Sequence, residues 1–279
     1  MIGFRAMPAA RGGVSPSLVA RALRFFRGHP GFVRTAVVLV FFVVWEWAAR
    51  DANPLLMTTP SKVAVAAWEM TVSGELPSAF LASSTAFAVG IAVTIAGGFA
   101  VGVLMGYFWP IEYAIDPFVN ALIAVPRVAL VPLLILWFGL DLAGKTVIQT
   151  LVAIFPVIIN TYAGVKSVRG GLIEIASAFG ASGWQAFVKI VLPAAAPFVL
   201  AGVRLAVGLA IIGMVLAEFF TQIAGLGGLI ISYSHQHAIA EMLVPIVVLG
   251  LLGIGITELV ALCERRVMHW RTLEQERTR

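Results

Sequence analysis

The chain has 279 residues, of which 60% are hydrophobic and only 12% are charged, with a formal net charge of +5. Soluble domains carry roughly a quarter of charged residues, and the mean hydropathy here is +0.98, so the composition excludes an ordinary soluble protein. The single cysteine, Cys263, excludes an internal disulfide framework and a four-cysteine metal site.

Residues 1–31 form a basic leader, rich in Gly, Pro, Arg and Ser, which we expect to be poorly ordered on the cytoplasmic side. The apolar stretch that follows is longer than the hydrophobic part of a signal peptide, and it stands behind this long leader. We therefore expect a retained membrane span and not a cleaved signal.

Six apolar stretches are each long enough to cross a bilayer core of about 30 Å, which needs about 20 helical residues. The fold class is therefore an all-α integral membrane protein with six transmembrane helices within residues 32–264. The expected spans are 32–49, 79–107, 117–140, 146–165, 193–220 and 243–263. Residues 265–279 form a basic tail.

The distribution of Lys and Arg predicts the orientation. Six arginines precede or begin the first span, three basic residues lie between the fourth and fifth spans, and five arginines follow the sixth span. Only three basic residues fall on the opposite side. Both termini are therefore expected on the cytoplasmic side, and the basic balance indicates contact with anionic lipid and not with nucleic acid.

The stretch "GLDLAGKT", residues 139–146, matches the phosphate-loop pattern G-x-x-x-x-G-K-[ST]. That motif requires a strand before it and a helix after it, so that backbone N–H groups surround the phosphates. Here it falls in the short outer turn between the third and fourth spans, with Lys145 at the lipid interface. We expect no nucleotide site and no catalytic residues in this chain.

The loop at about 166–192, between the fourth and fifth spans, predicts two short helices. Gly170 and Gly171 are expected to break the fourth helix, residues 172–179 form an amphipathic helix that Gly180 ends, and residues 183–191 form the second. The apolar face of the first helix consists of Leu172, Ile175, Ala176 and Phe179. Its chemistry fits a docking surface for another protein and, equally, a helix that lies on lipid.

The spacing within this loop resembles a known signature. The signature E-A-A-x3-G-x9-I-x-L-P belongs to permease subunits of bacterial binding-protein-dependent ABC importers, and here Ile175 replaces its first alanine. The residues that match it are Glu174, Ala176, Gly180, Ile190, Leu192 and Pro193. The segments "TTPSKV", "RVALVPLLILWFGL", "AGVRLAVGLAIIGMVLAEFF" and "GLGGLI" resemble the nitrate, sulfonate, taurine and bicarbonate type of these permeases.

The resemblance implies that the loop is a coupling helix onto which a separate ATPase subunit docks. The docking residues would be Glu174, Ile175, Ala176, Gly180 and Ala181. The implied partners are two ATP-binding subunits, an extracytoplasmic solute-binding protein and a second copy of this chain. The implied location is the inner membrane of a bacterium. ATP would be bound by the partner, so no cofactor is expected here, and the solute would be a small organic anion such as a sulfonate, taurine, nitrate or an aromatic acid.

Polar residues within membrane spans are costly and usually have partners or functions. The candidates for the translocation path are Asn120, Arg127, Gln149, Asn160, Arg204 and Glu218. For Arg204 and Glu218 a structural role is favoured, and Glu218 is expected to brace the fifth span against the third. Arg127 lies between two prolines that are expected to kink the third span.

Two other features have structural interpretations. Gly98, Gly102 and Gly106 form a small-residue stripe for close helix packing. His235 and His237 precede the sixth span on the outer side. Two histidines alone do not make a metal site, and we interpret this loop as a contact surface for the binding protein.

Two other classes of function compete with the importer. A self-sufficient secondary transporter requires an inverted repeat and coupling carboxylates near the membrane centre, and the glutamates in the spans lie near span ends. An intramembrane enzyme requires a catalytic constellation, and the sequence offers none.

Overall fold

The computed structural model describes residues 30–53, 56–168, 170–221 and 225–267, and within these ranges the chain is helical with no strand. The all-α fold class is therefore confirmed. The first helices are α1 (Pro30–Arg50), α2 (Pro60–Val72), α3 (Glu75–Tyr107), α4 (Trp109–Ala124), α5 (Val131–Phe138) and α6 (Leu142–Lys166). They are followed by α7 (Gly170–Ala178), α8 (Gly183–Ala186), α9 (Leu192–Thr221), α10 (Leu226–His235) and α11 (Ile239–Val267).

Helices α3 and α6 pack closely because glycines of α3 face bulkier residues of α6. A Cβ atom at Gly98 would lie 2.7 Å from Val157 Cβ, and one at Gly102 would lie 2.6 Å from Thr161 Cβ. The contacts advance in step along both chains, so the two helices run parallel. The glycine stripe therefore has the structural role that its spacing predicts.

The third predicted span is not one helix. The chain breaks after α4 at Val125 and Pro126, forms a 3₁₀ turn over Arg127–Leu130, and continues into α5 at an angle of 97°. Because α4 begins at Trp109, the start predicted for this span at residue 117 is wrong. The expected kink is present. Proline causes the break because it fixes the backbone and removes a hydrogen-bond donor.

Five described helices are long and apolar enough to cross a membrane, and the bent pair α4–α5 gives a sixth if it makes one crossing. Because α3 and α6 are parallel, the end of α3 and the start of α6 lie at opposite ends of the bundle. The segment between them must return across its full length. The bent pair therefore counts as one candidate crossing, which makes six candidates among the described helices.

Helix α9 runs antiparallel to α6, since Gly164 lies against Ala195 near one end and Gly213 lies against Gln149 near the other. These helices enclose the main apolar core together with α3. Its buried members are Phe87, Ala153, Val157, Ala206, Val207, Ala210 and Met214. The last helix, α11, runs antiparallel to α9 and ends on the side where α7 and α8 lie.

We call the end of the bundle opposite α7 the outer end, after the orientation that the sequence predicts. There, the indole of Trp45 donates to the backbone oxygen of Thr58 at 3.0 Å, and the hydroxyl of Ser61 donates to Glu46 at 3.0 Å. These bonds tie the end of α1 to α2, which packs on α11 through Met70 and Val244. A crossing by α1 therefore starts on the side of α7.

We expect Gly102→Ala to lower the melting temperature of the detergent-purified protein, because the added methyl meets both Thr161 and the backbone oxygen of Ile158 at 2.7 Å. Overpacking of this kind costs about 1–3 kcal/mol. Gly97→Ala is the matched control, since its nearest neighbour would be the flexible end of Ile154 at 3.6 Å. Equal melting temperatures for the two variants would contradict the close packing.

Candidate docking surface and solute path

Helix α7 stands out from the bundle, and none of its residues is buried. Leu172, Ile175 and the following Phe179 are 48%, 56% and 88% exposed. An apolar face that is directed away from its own protein is typical of a surface that binds something else. The amphipathic helix predicted from the sequence is present.

Two backbone hydrogen bonds end α7. The N–H of Ala181 donates to the oxygen of Ala176 at 3.0 Å, and the N–H of Gly180 donates to the oxygen of Ser177 at 2.9 Å. This pair of bonds is the Schellman cap, which requires a left-handed residue after the helix, and Gly180 has φ 80°. The alanine and the glycine of the signature therefore take part in one cap.

The next turn anchors the loop to the bundle. Ser182 caps α8 in a reciprocal capping box with Gln185, and a π-helical turn, Phe187–Val191, joins α8 to α9. Phe187 is buried and packs edge-on against Tyr107, with ring centroids 5.1 Å apart. The exposed helix thus extends from a rigid base.

Gly170 and Gly171 do not break the fourth helix as predicted. Helix α6 ends at Lys166 with Ser167 as its C-cap, and the two glycines are the first residues of α7. The hydroxyl of Ser167 donates to the backbone oxygen of Gly164 at 2.7 Å. That bond occupies a carbonyl of the last turn and helps to end the helix.

Arg127 has a structural partner in α6. Its Nη1 donates to the backbone oxygen of Val152 at 2.8 Å, and its guanidinium lies 5.4 Å from the ring centroid of Phe155. Val152 lies four residues before Pro156, and a proline leaves the carbonyl four residues earlier without its helical donor. Arg127 therefore supplies the donor that Pro156 removes.

Glu218 is fully buried at the outer end of α9. It accepts hydrogen bonds from the hydroxyl of Ser83 at 2.7 Å and from the N–H of Gly227 at 2.8 Å, and Ser83 also accepts from the N–H of Leu226 at 2.8 Å. Glu218 thus braces α9 against α3, which is the second span, and against α10. The predicted bracing against the third span, α4–α5, is wrong. Lys145, which we expected at the lipid interface, is buried, and its charge interacts with that of Glu218.

Gln149 lies in the contact between three helices. It is fully buried, its amide donates to the backbone oxygen of Phe87 at 3.1 Å, and a Cβ atom at Gly90 would lie 2.4 Å from its side chain. Its position is the packed interior of the subunit.

Asn160 and Arg204 also have protein partners. The amide of Asn160 donates to the backbone oxygen of Pro156 at 2.8 Å, within α6. Arg204 forms an ion pair with Glu264 of α11. This pair connects the fifth and last spans near the side of α7.

Asn120 lies on an exposed face of α4. Its amide donates to Asp116 at 2.9 Å, one turn earlier on α4. Asp116 lines a cavity of about 600 Å³ between α4 and the end of α6. The other lining residues are Trp109, Glu112, Tyr113, Pro117, Tyr162 and Lys166.

Glu112 and Asp116 are absent from the path candidates above, because both precede the start predicted for the third span at residue 117. Their spacing with Asn120, at four-residue intervals, is the signal of one polar helix face. Since α4 begins at Trp109, this polar face belongs to the third span.

The two outer histidines are exposed and follow one another around the end of α10. Within the described ranges no three His, Cys, Asp or Glu side chains form a group that fits a metal ion. Nearby, the hydroxyl of Tyr233 donates to Glu75 at 2.6 Å. Burial is the main reason that the pKa of Tyr233 is raised to about 12, and the bond to Glu75 is the second reason.

The phosphate-loop pattern has a structural explanation. A helix, α5, precedes it, and the carboxylate of Asp141 accepts from the N–H groups of Ala143 at 3.0 Å and Gly144 at 3.3 Å. The Asp141 carboxylate thus caps the start of α6, so these N–H groups are occupied by this chain's own side chain.

A multi-pass helical membrane protein with an exposed helical loop is the class that this fold defines. Residues 95–269 match the family of binding-protein-dependent transport system inner membrane components. The chain belongs to this family and is an ABC transporter permease of the inner membrane.

Curated relatives cover almost the whole chain. A putative aliphatic sulfonates transport permease of Bacillus subtilis is 30% identical over 95% of this chain and 98% of that protein. A formylaminopyrimidine transport permease of Halalkalibacterium halodurans is 30% identical over 88% of this chain and 98% of that protein. A riboflavin transport system permease of Chloroflexus aurantiacus is 30% identical over 95% of this chain and 97% of that protein.

We expect Arg127→Met to destabilise the purified protein by about 1–3 kcal/mol, because the backbone oxygen of Val152 is left unpaired. In a Pro156→Ala background the new N–H of residue 156 replaces the lost donor, so the same substitution should cost less. A double-mutant cycle in chemical or thermal unfolding measures this coupling. Equal costs in both backgrounds would contradict the assignment.

Proposed function

We propose that this chain is the membrane-spanning subunit of an ATP-driven importer and forms the translocation path for a small solute. An extracytoplasmic binding protein delivers the solute, and two separate ATPase subunits supply the energy. The chain itself has no catalytic role and needs no cofactor, because ATP binds to the partner subunits. The exposed, rigidly based helix α7 is the observation that carries the proposal.

The ATPase subunit docks on the α7 surface through Glu174, Ile175, Ala176, Gly180 and Ala181. Small side chains at the end of α7 allow the backbone of another protein to approach closely. The exposed Phe179 adds apolar area beside them. Burying such a face against a protein removes it from water, which is the main favourable term in most protein association.

Orientation follows from the same proposal. The end of α11 lies on the side of α7, and a crossing by α1 starts there, so both ends of the described chain share the side on which the ATPase docks. The excess of Lys and Arg on this side supports a cytoplasmic assignment. The outer surface that includes His235 and His237 is then available to the binding protein.

The solute is a small organic anion, with a sulfonate as the first choice, and the path forms between two copies of this chain. One relative is named as a putative aliphatic sulfonates transport permease, which supports the choice. Others are named as permeases for a formylaminopyrimidine and riboflavin, and we expect the delivering protein to select the solute. Among the path candidates, Asn120 is supported by its exposure and by its bond to Asp116, which lines a cavity.

We expect Gly180→Trp to leave the protein in the membrane and to abolish co-purification of the ATPase subunit. A side chain at φ 80° costs about 1–2 kcal/mol, and the indole obstructs the α7 surface. The measurement is gentle purification from native membranes followed by mass spectrometry of the bound proteins.

Gly74→Trp is the matched control, because Gly74 has φ 81° and open space around its Cα but lies at the opposite end of the bundle. It should retain the ATPase. Retention of the ATPase by Gly180→Trp, or its absence from the wild-type preparation, would overturn the proposed function.

A further inference from the structure

Two side chains of α6 hold one carboxylate of α4. The ammonium of Lys166 donates to Glu112 Oε2 at 2.5 Å, and the hydroxyl of Tyr162 donates to Glu112 Oε1 at 2.6 Å. The Lys166 ammonium also lies 5.8 Å from the ring centroid of Tyr162. The last turn of α6 therefore binds the first turn of α4 through both oxygens of a single group.

The donors are directly connected to the exposed helix. Lys166 is the last residue of α6, and α7 begins at Gly170. Three residues of sequence therefore separate Lys166 from the exposed helix, and Tyr162 lies four residues before Lys166 on α6. The part of the chain that presents the docking surface thus carries one half of the ion pair.

The other half lies on an element with a break at its far end. Beyond Ala124 the chain turns through 97° at Pro126, and Arg127 is fixed to the backbone of α6. Helix α4 therefore lies between Arg127, which is fixed just beyond its end, and Glu112, which the ion pair holds in its first turn. Breaks between helices are where hinge movements concentrate.

The surroundings of α4 permit such a movement. One face packs on Met105, Phe155 and Ile158 through Val119. Its opposite face is exposed, with Tyr113 82% accessible, and the cavity of about 600 Å³ opens next to Glu112. The helix thus packs through one apolar face, which includes Ile111 beside Glu112, and has free space on its opposite face.

Stability alone does not account for the pair. The side chains of Lys166 and Glu112 are 43% and 26% exposed, and exposed ion pairs contribute little to folding. Their placement, by contrast, connects two elements that have no short covalent link on this side. The role of the pair is therefore better explained by the two helices that it connects than by its contribution to stability.

We propose that Glu112, Tyr162 and Lys166 form the link through which movement of the docking helix α7 reaches the broken third span. They act as positioning residues: α7 moves the end of α6, and the Glu112 contacts move α4 about the break at Pro126. The link rests on the proposed function, because the ATPase subunit supplies the movement. These three residues would thus pass on the movement of α7 without binding ATP themselves.

The test uses the complete complex with its ATPase and binding protein, in lipid nanodiscs. Spin labels are attached at Tyr113→Cys on α4 and Leu251→Cys on α11, two exposed positions, after Cys263→Ser. The measured quantity is the change in the distance between the labels when a non-hydrolysable ATP analogue is added. Co-purification and hydrolysis of ATP are recorded for every variant.

We expect Glu112→Gln and Lys166→Met each to retain the ATPase and its hydrolysis but to lose the nucleotide-dependent change in distance. The exchange Glu112→Lys with Lys166→Glu should restore it, because the opposite charges face each other again. Arg50→Met is the control, since it removes another exposed ion pair, with Glu46 at 3.8 Å, at the outer end. The control should behave as the wild type.

The outcomes separate the two proposals. An unchanged distance response in both single variants would overturn the link and leave the proposed function intact. Loss in the single variants without restoration in the exchange would also overturn it, because the loss would then reflect general damage. A wild-type complex that contains no ATPase would overturn the proposed function and the link with it.

Discussion

The parallel packing of α3 and α6 is the constraint on which the rest of the molecule depends. In lipid, apolar surfaces gain little by leaving their solvent, so close approach of backbones has to hold helices together. Glycines at 90, 98, 102 and 106 allow that approach. Because the two helices run the same way, the chain between them has to cross the membrane, and the broken span α4–α5 makes that crossing.

Prolines shape this return path, and polar side chains compensate for them. Pro126 ends α4, and Pro156 leaves a carbonyl of α6 without its helical donor. Arg127, the first residue after the break, supplies that donor. A charge that the sequence marks as a possible solute contact therefore also maintains the backbone of the neighbouring helix, which is how membrane proteins tolerate irregular structure at depth.

The sequence predicts the spans and the exposed helix well, because apolar length, a glycine cap and helical periodicity are local properties. It fails where the answer depends on how helices are rotated against each other. Glu218 braces α9 against α3 and not against the third span, since the partner is decided by packing. The same holds for Glu112: with the start of the third span placed eight residues late, its carboxylate is assigned to a loop.

From Gly183 to Thr221 the chain is helical without interruption, and the π-helical turn at Phe187–Val191 lies within it. The direction in which α7 faces is therefore tied to the rotation of α9 about its own axis. One residue more or less in this run would turn the docking face by about 100° around the bundle. The nine residues between Gly180 and Ile190 thus fix the direction in which α7 faces. A flexible loop of the same length would limit only the distance between α7 and α9.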